Sequence, residues 1–192
     1  MIKLFNQSIG RLRLTKTKSV IHASLIVGTL VALLLSPGKA LGQAAVPSNP
    51  FVLLLKGIFE PVVHSPDLGL SQVDLSDGTY WTVPIYDVSG IPGTKKDKAV
   101  GTFYVQILGD LCAYHVPGGS FSARFRPGDS HTAVTFDGNG GIYITGTYEL
   151  DILEGTGIYR PFAGGHIHMV DTLQITAAGV FNEVGCYCHV SR

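Results

Sequence analysis

From about residue 70 to the C-terminus the chain never sustains the helical spacing of apolar residues. Segments rich in β-branched and aromatic residues recur instead at intervals of roughly 10–15 residues, separated by turns rich in glycine. They fall at 100–108, 111–116, 120–125, 131–136, 142–153, 166–176 and 180–190. In 120–125, Phe121, Ala123 and Phe125 alternate with Ser122 and Arg124, the period of two that puts one face of a strand in a core. Asp137-Gly138-Asn139-Gly140-Gly141 is a hairpin turn by composition. Upstream, the apolar run Phe51-Val52-Leu53-Leu54-Leu55 reads as a first buried strand, and Pro84 marks an edge or a bulge between two strand-like runs. This rhythm predicts an all-β domain, an antiparallel barrel or a sandwich. Glycine makes up 20 of the 150 residues after position 42, as expected where strands bend to close a barrel. Closure also removes the free edges that invite aggregation.

The first 42 residues have a different character. Lys3, Arg11, Arg13, Lys16 and Lys18 precede a largely apolar run from Val20 to Leu35, which Ser36-Pro37-Gly38-Lys39 breaks before Ala40-Leu41-Gly42. A basic region, an apolar region and a small-residue cleavage site form a secretory signal peptide, with cleavage expected after Gly42. The competing reading is an uncleaved N-terminal anchor, since the run is long for a signal and short of the ~20 residues of a span. Either way the expected location is outside the cytoplasm, secreted or periplasmic, with any membrane contact confined to this segment. Residues 43–50, with Pro47 and Pro50, read as a flexible leader, and 51–192 as the barrel domain.

Discarding 1–42 changes the charge. The full chain is neutral, but all 14 acidic residues lie after residue 42 with eight basic ones, a net charge of −6. Scattered acidic charge argues against nucleic acid and anionic membrane surfaces as partners. Of the three cysteines, Cys186 and Cys188 share a face of one strand and compete for Cys112, so a disulfide of Cys112 with Cys186 or Cys188 is expected in an oxidising compartment. A soft-metal site at Cys186-Tyr187-Cys188-His189 is the alternative.

The most specific stretch runs from Ile152-Leu153-Glu154-Gly155-Thr156-Gly157-Ile158-Tyr159-Arg160 through Phe162-Ala163-Gly164-Gly165 into a strand. This glycine-punctuated corner resembles that of plant dirigent proteins and allene oxide cyclases, and Val100-Gly101-Thr102-Phe103 and the strands after it fall in the order of those families. The resemblance covers roughly residues 52–190. It implies a single eight-stranded antiparallel β-barrel, often homo-oligomeric, with an apolar lumen. The lumen would confine a small apolar molecule and guide its cyclisation or coupling without a cofactor. The corner departs from the plant pattern by an insertion after Gly157 and by the histidines that follow it, so no catalytic residue carries over.

The candidates for chemistry come from the residues themselves. His166 and His168 lie two apart on a strand, with side chains on one face about 6.5–7 Å apart, which suits ligand contact or two ligands of one metal. A third metal ligand would have to come from elsewhere, and Asp171 faces the other side of a regular strand. Arg160, at the corner, can orient an anionic oxygen or bond Glu154. The candidate catalytic residues are thus Arg160, His166 and His168, and Tyr104, Tyr148 and Tyr159 join them as candidate pocket residues. Glu149, Asp151 and Glu154 are read as an acid–base group or as solvated surface. Three functions follow: a lumenal binder and cyclisation guide, a non-enzymatic extracellular barrel, or a metal-dependent enzyme using His166 and His168.

Overall fold

The computed structural model describes residues 45–89, 91 and 98–192. The signal segment expected at 1–42 lies outside the described residues. Residues 45–50 form no regular element. Eight strands then build one wall: β1 (Phe51–Ile58), β3 (Tyr80–Ser89), β4 (Ala99–Gln106), β5 (Leu111–Val116), β6 (Gly119–Phe125), β8 (Ile142–Gly155), β9 (His166–Ile175) and β10 (Phe181–Ser191). Two further segments, β2 (Glu60–Pro61) and β7 (His131–Phe136), attach to β3 and β8.

The wall runs β1-β10-β9-β8-β6-β5-β4-β3 and returns from β3 to β1, with every pairing antiparallel. The closing seam pairs Leu55 with Ile85 and Leu53 with Asp87. That seam decides between the two architectures left open by the sequence, because a sandwich has no such closure. The protein is a closed eight-stranded antiparallel barrel. Among the described residues no helix is long and apolar enough to cross a membrane.

β8 is the longest strand, and one of its edges serves two partners. Its second half pairs with β6, Leu150 opposite Phe125 and Gly155 opposite Phe121. Its first half pairs instead with β7, from Thr147 opposite His131 to Ile142 opposite Phe136. The barrel is therefore closed at one end, here called the base, and forked at the other, the mouth.

The base is packed solid. Phe51, Tyr114, Phe121, Tyr159 and Phe162 are all fully buried there. Tyr114 stacks on Phe121 at 4.6 Å between ring centroids, and Phe51 meets Phe162 edge-on at 5.2 Å. Each such ring contributes roughly 1.5–3 kcal/mol by burial. Tyr159 and Phe162 come from a 3-10 turn, Gly157–Phe162, that folds the corner beneath the wall. The turn interlocks with the tight β5–β6 hairpin: Thr156 N donates to Ser120 O (2.7 Å), Ile158 N to Gly118 O (3.0 Å) and Tyr159 OH to Pro117 O (3.1 Å). Gly157 has φ +55°, and a Cβ there would collide with the Gly118 carbonyl oxygen. A Cβ on Gly119 would collide with the Thr156 carbonyl oxygen in turn. The glycines of the corner are thus what lets two backbones approach closely enough to seal the base.

Outside the wall, the segment 62–79 crosses the face of β3, β4 and β5 as a strap. Leu68, Leu75, Tyr80, Tyr104 and Ala113 form a second buried cluster beneath it. Glu154 pins the strap. Its carboxylate accepts Ser71 N, Ser71 Oγ and Gln72 N, each at 3.0 Å, and Ser122 Oγ at 3.4 Å. Partial burial works to raise the Glu154 pKa, and these bonds more than offset it, leaving the carboxyl below its ordinary value. Glu154→Ala is expected to release the strap without opening the barrel. Amide exchange should accelerate at least tenfold across 68–75, while amides of β9 and β10 remain protected. Uniform acceleration would show that the strap belongs to the global folding unit.

Candidate functional site

Toward the mouth, lumenal side chains no longer fill the space. A cavity of about 460 Å³ remains, within the range of small-molecule sites. The buried Leu55, Phe103, Met169 and Cys186 form its floor, the half-buried Phe59, Trp81, Phe125 and Tyr148 surround it, and the exposed Ile107 and Phe181 border it. Trp81 and Phe181 meet edge-on at 5.6 Å, and Phe125 and Tyr148 at 5.8 Å. Against this apolar lining stand two carboxyl groups, Asp171 and Glu183.

Different backbone devices bring them there. Asp171 follows Ile167 and Met169 on the lumenal side of β9 by simple alternation. Glu183 does not follow the alternation of β10, where Cys186, Cys188 and Val190 are the inward residues. A register shift between Glu183 and Gly185 reverses the phase: Cys186 pairs with Asp171 and Gly185 with Thr172, but Glu183 pairs with Leu173. The result is that Glu183 is 4% exposed, while its neighbour Val184 is 42% exposed. Gly185 N closes the bulge by donating to Glu183 Oε1 at 3.2 Å.

The two carboxyl groups share a hydrogen bond. Burial, then the Asp171 charge and the bond to it, push the Glu183 pKa up to about 10. Burial also raises that of Asp171. Like charges this close in an apolar site cannot both ionise, so at neutral pH the pair holds at least one proton. Asp171 Oδ1 is buried and accepts no hydrogen bond from any described residue. Among the described residues no lysine, arginine or histidine lines the cavity.

The residues singled out in the sequence are dispersed. Tyr148 lines the cavity. Tyr104 points the other way on β4 and lies under the strap. Tyr159 is part of the base seal. Arg160 is exposed on the 3-10 turn, where its carbonyl accepts Ala163 N at 3.3 Å. His166 and His168 face outward, because Ile167 and Met169 hold the lumenal phase of β9. The lumen does not gather the expected set, and strand parity is the reason. The two histidines instead flank Glu149, His166 through Nε2 and His168 through Nδ1 at 2.6 Å. Arg126 Nη2 donates to His166 Nδ1 (3.4 Å) and to Asp151 Oδ1 (2.5 Å), which fixes the His166 proton on Nε2. Burial tends to raise the Glu149 pKa, but the hydrogen bonds from His168 and His166 prevail and lower it. Among the described residues no three His, Cys, Asp or Glu side chains converge as a metal-binding group.

The cysteines are lumenal, and all three are free thiols, so the expected bridge from Cys112 to Cys186 or Cys188 is not formed. Each thiol has another neighbour: Cys112 Sγ donates to Ala123 O (3.5 Å), Tyr114 OH donates to Cys188 Sγ (3.7 Å), and Cys186 and Cys188 lie 3.8 Å apart. Burial raises the Cys112 thiol well above its ordinary value, which makes it a poor nucleophile.

Compared with protein-family models, with curated proteins and with solved structures, the chain matches none.

Proposed function

We propose that this barrel binds a small apolar molecule in its lumen and holds it in one geometry, in the manner of a guide for cyclisation or coupling. The observation that carries the reading is the contrast between the two ends of one lumen. The base is filled by five buried rings, whereas the mouth keeps an aromatic-lined cavity of about 460 Å³ above Met169 and Cys186. A barrel serving only as a scaffold gains stability from filling that space, at roughly 1–3 kcal/mol per buried side chain. The corner sequence and the strand order in which the chain resembles allene oxide cyclases and dirigent proteins support the same reading. Catalysis on this reading is confinement of an already reactive molecule, with the Asp171–Glu183 pair as the polar group that meets it. Export through the N-terminal segment is part of the same proposal.

Trp81 is the single tryptophan of the chain and lies in the cavity wall, so it reports occupancy directly. Titration with the apolar dye N-phenyl-1-naphthylamine is expected to quench Trp81 fluorescence with a micromolar Kd. Met169→Trp, which fills the floor, should weaken the dye at least tenfold with the barrel still folded. Unchanged dye affinity in that folded variant would place the dye outside the lumen and remove the reading.

A further inference from the structure

The lumenal ligand has a hydrogen-bonding requirement that can be read from the carboxyl pair. Glu183 sits beside Asp171 in the cavity lining, and its Oε1 already accepts Gly185 N. The atom left over is Asp171 Oδ1, buried and without a donor among the described residues. A carbonyl, ether or epoxide oxygen brings a second acceptor to that atom and leaves it unsatisfied. The site therefore calls for a ligand with N–H or O–H groups.

Charge narrows the class further. In its singly protonated state the pair carries a negative charge inside an apolar cavity, and among the described residues no basic side chain lines that cavity to balance it. An unbalanced buried charge is costly, and the cost falls when a ligand supplies the opposite sign. The rest of the lining suits a cation too. Phe59, Trp81, Phe103, Phe125 and Phe181 border the same space, and aromatic faces attract ammonium groups that have left water.

We infer that the ligand of this lumen is an apolar organic amine, bound as its ammonium ion, with the charged nitrogen at Asp171 Oδ1 and the hydrocarbon part among the aromatic side chains. The inference rests on the lumenal-binding proposal and adds the ligand class to it. Substitution at Asp171 removes the counter-charge.

The test is displacement of N-phenyl-1-naphthylamine by two molecules of the same shape, 4-phenylbutylamine and 4-phenylbutan-1-ol, at pH 7.5. The amine is expected to compete at least tenfold more strongly than the alcohol against the wild-type protein. Asp171→Asn should abolish that preference, and Glu149→Gln, which removes a carboxylate from the outer face, should preserve it. Equal competition by the two molecules overturns the amine assignment while leaving lumenal binding intact, because the dye is still displaced. A preference that survives in folded Asp171→Asn overturns the role of Oδ1. Failure of the dye itself to bind overturns both proposals. The wild-type comparison needs no variant, so a poorly folding Asp171→Asn does not shelter the inference.

Discussion

Gly157→Val is expected to leave the chain without a cooperative folding transition. Two effects act together. Valine is β-branched and resists the left-handed backbone that φ +55° requires, at a cost of roughly 1–3 kcal/mol. Its Cβ also meets the Gly118 carbonyl oxygen, which is backbone and cannot rotate away. The turn must then separate from the β5–β6 hairpin, and it carries Tyr159 and Phe162 with it. Losing the packing of one buried aromatic ring costs about 3–5 kcal/mol, and two rings approach the whole stability of a domain this size. Gly128→Ala is the matched control. Gly128 also has positive φ, at +86°, but nothing lies within 4 Å of its absent Cβ. Its cost should stay near ~1 kcal/mol, within what backbone strain alone gives. Urea unfolding followed by far-ultraviolet circular dichroism separates the two. A Gly157→Val transition within a few tenths molar of wild type would show that the corner does not seal the base.

Glu183→Gln is expected to stabilise the protein at alkaline pH and to flatten its pH dependence. The sign follows from the raised pKa. Between the ordinary carboxyl value of 4.5 and about 10, the native protein holds a proton that the unfolded chain has released. Stability is therefore full below 4.5 and falls as pH rises, by up to ~1.4 kcal/mol per pH unit for one proton. The groups facing Glu183 are Asp171 on β9 and Cys186 and Cys188 on β10, and none of them is basic. Glutamine keeps the shape and a donor for Asp171 but has no proton to lose. Chemical unfolding at pH 5.5 and pH 8 should show wild type losing on the order of 2–3 kcal/mol across the interval. The variant should lose less than half as much. Equal slopes for the two proteins would mean that Glu183 ionises normally. Glu154 and Glu149 act with the opposite sign, because their lowered pKa values give stability that is lost as pH falls. Confining the comparison to pH 5.5–8 keeps them out of it.

Much of the architecture is written in local pattern. The alternation Phe121, Ala123, Phe125 matches the inward face of β6, and Asp137–Gly141 is the turn joining β7 to β8, with Asp137 Oδ1 accepting Asn139 N and Gly141 N. The corner was visible because its glycines are dense, and its task of sealing the base explains that density. The carboxyl pair was not visible, for a reason that two residues make plain. Asp171 is distinguished by facing away from His166 and His168, and following that parity inward leads to the cavity. Glu183 obeys no parity at all, since only the register shift before Gly185 turns it inward. A glycine inside a strand is the one local hint of such a shift, and it does not say which neighbour will change sides. The histidines drew attention as a sequence motif, whereas their outward position follows from the apolar residues between and after them.

The fork in β8 bears on how the fold opens locally. Hydrogen-bonded closure around the base runs through β6, and the first half of β8 owes its pairing on that edge to β7 alone. β7 has all six residues exposed and no second partner strand among the described residues. Displacing β7 therefore breaks one short ladder and leaves every pairing of the eight-strand circuit in place. Loss of β7 is thus a local opening, and amides of 131–136 are expected to exchange before those of the eight-strand circuit.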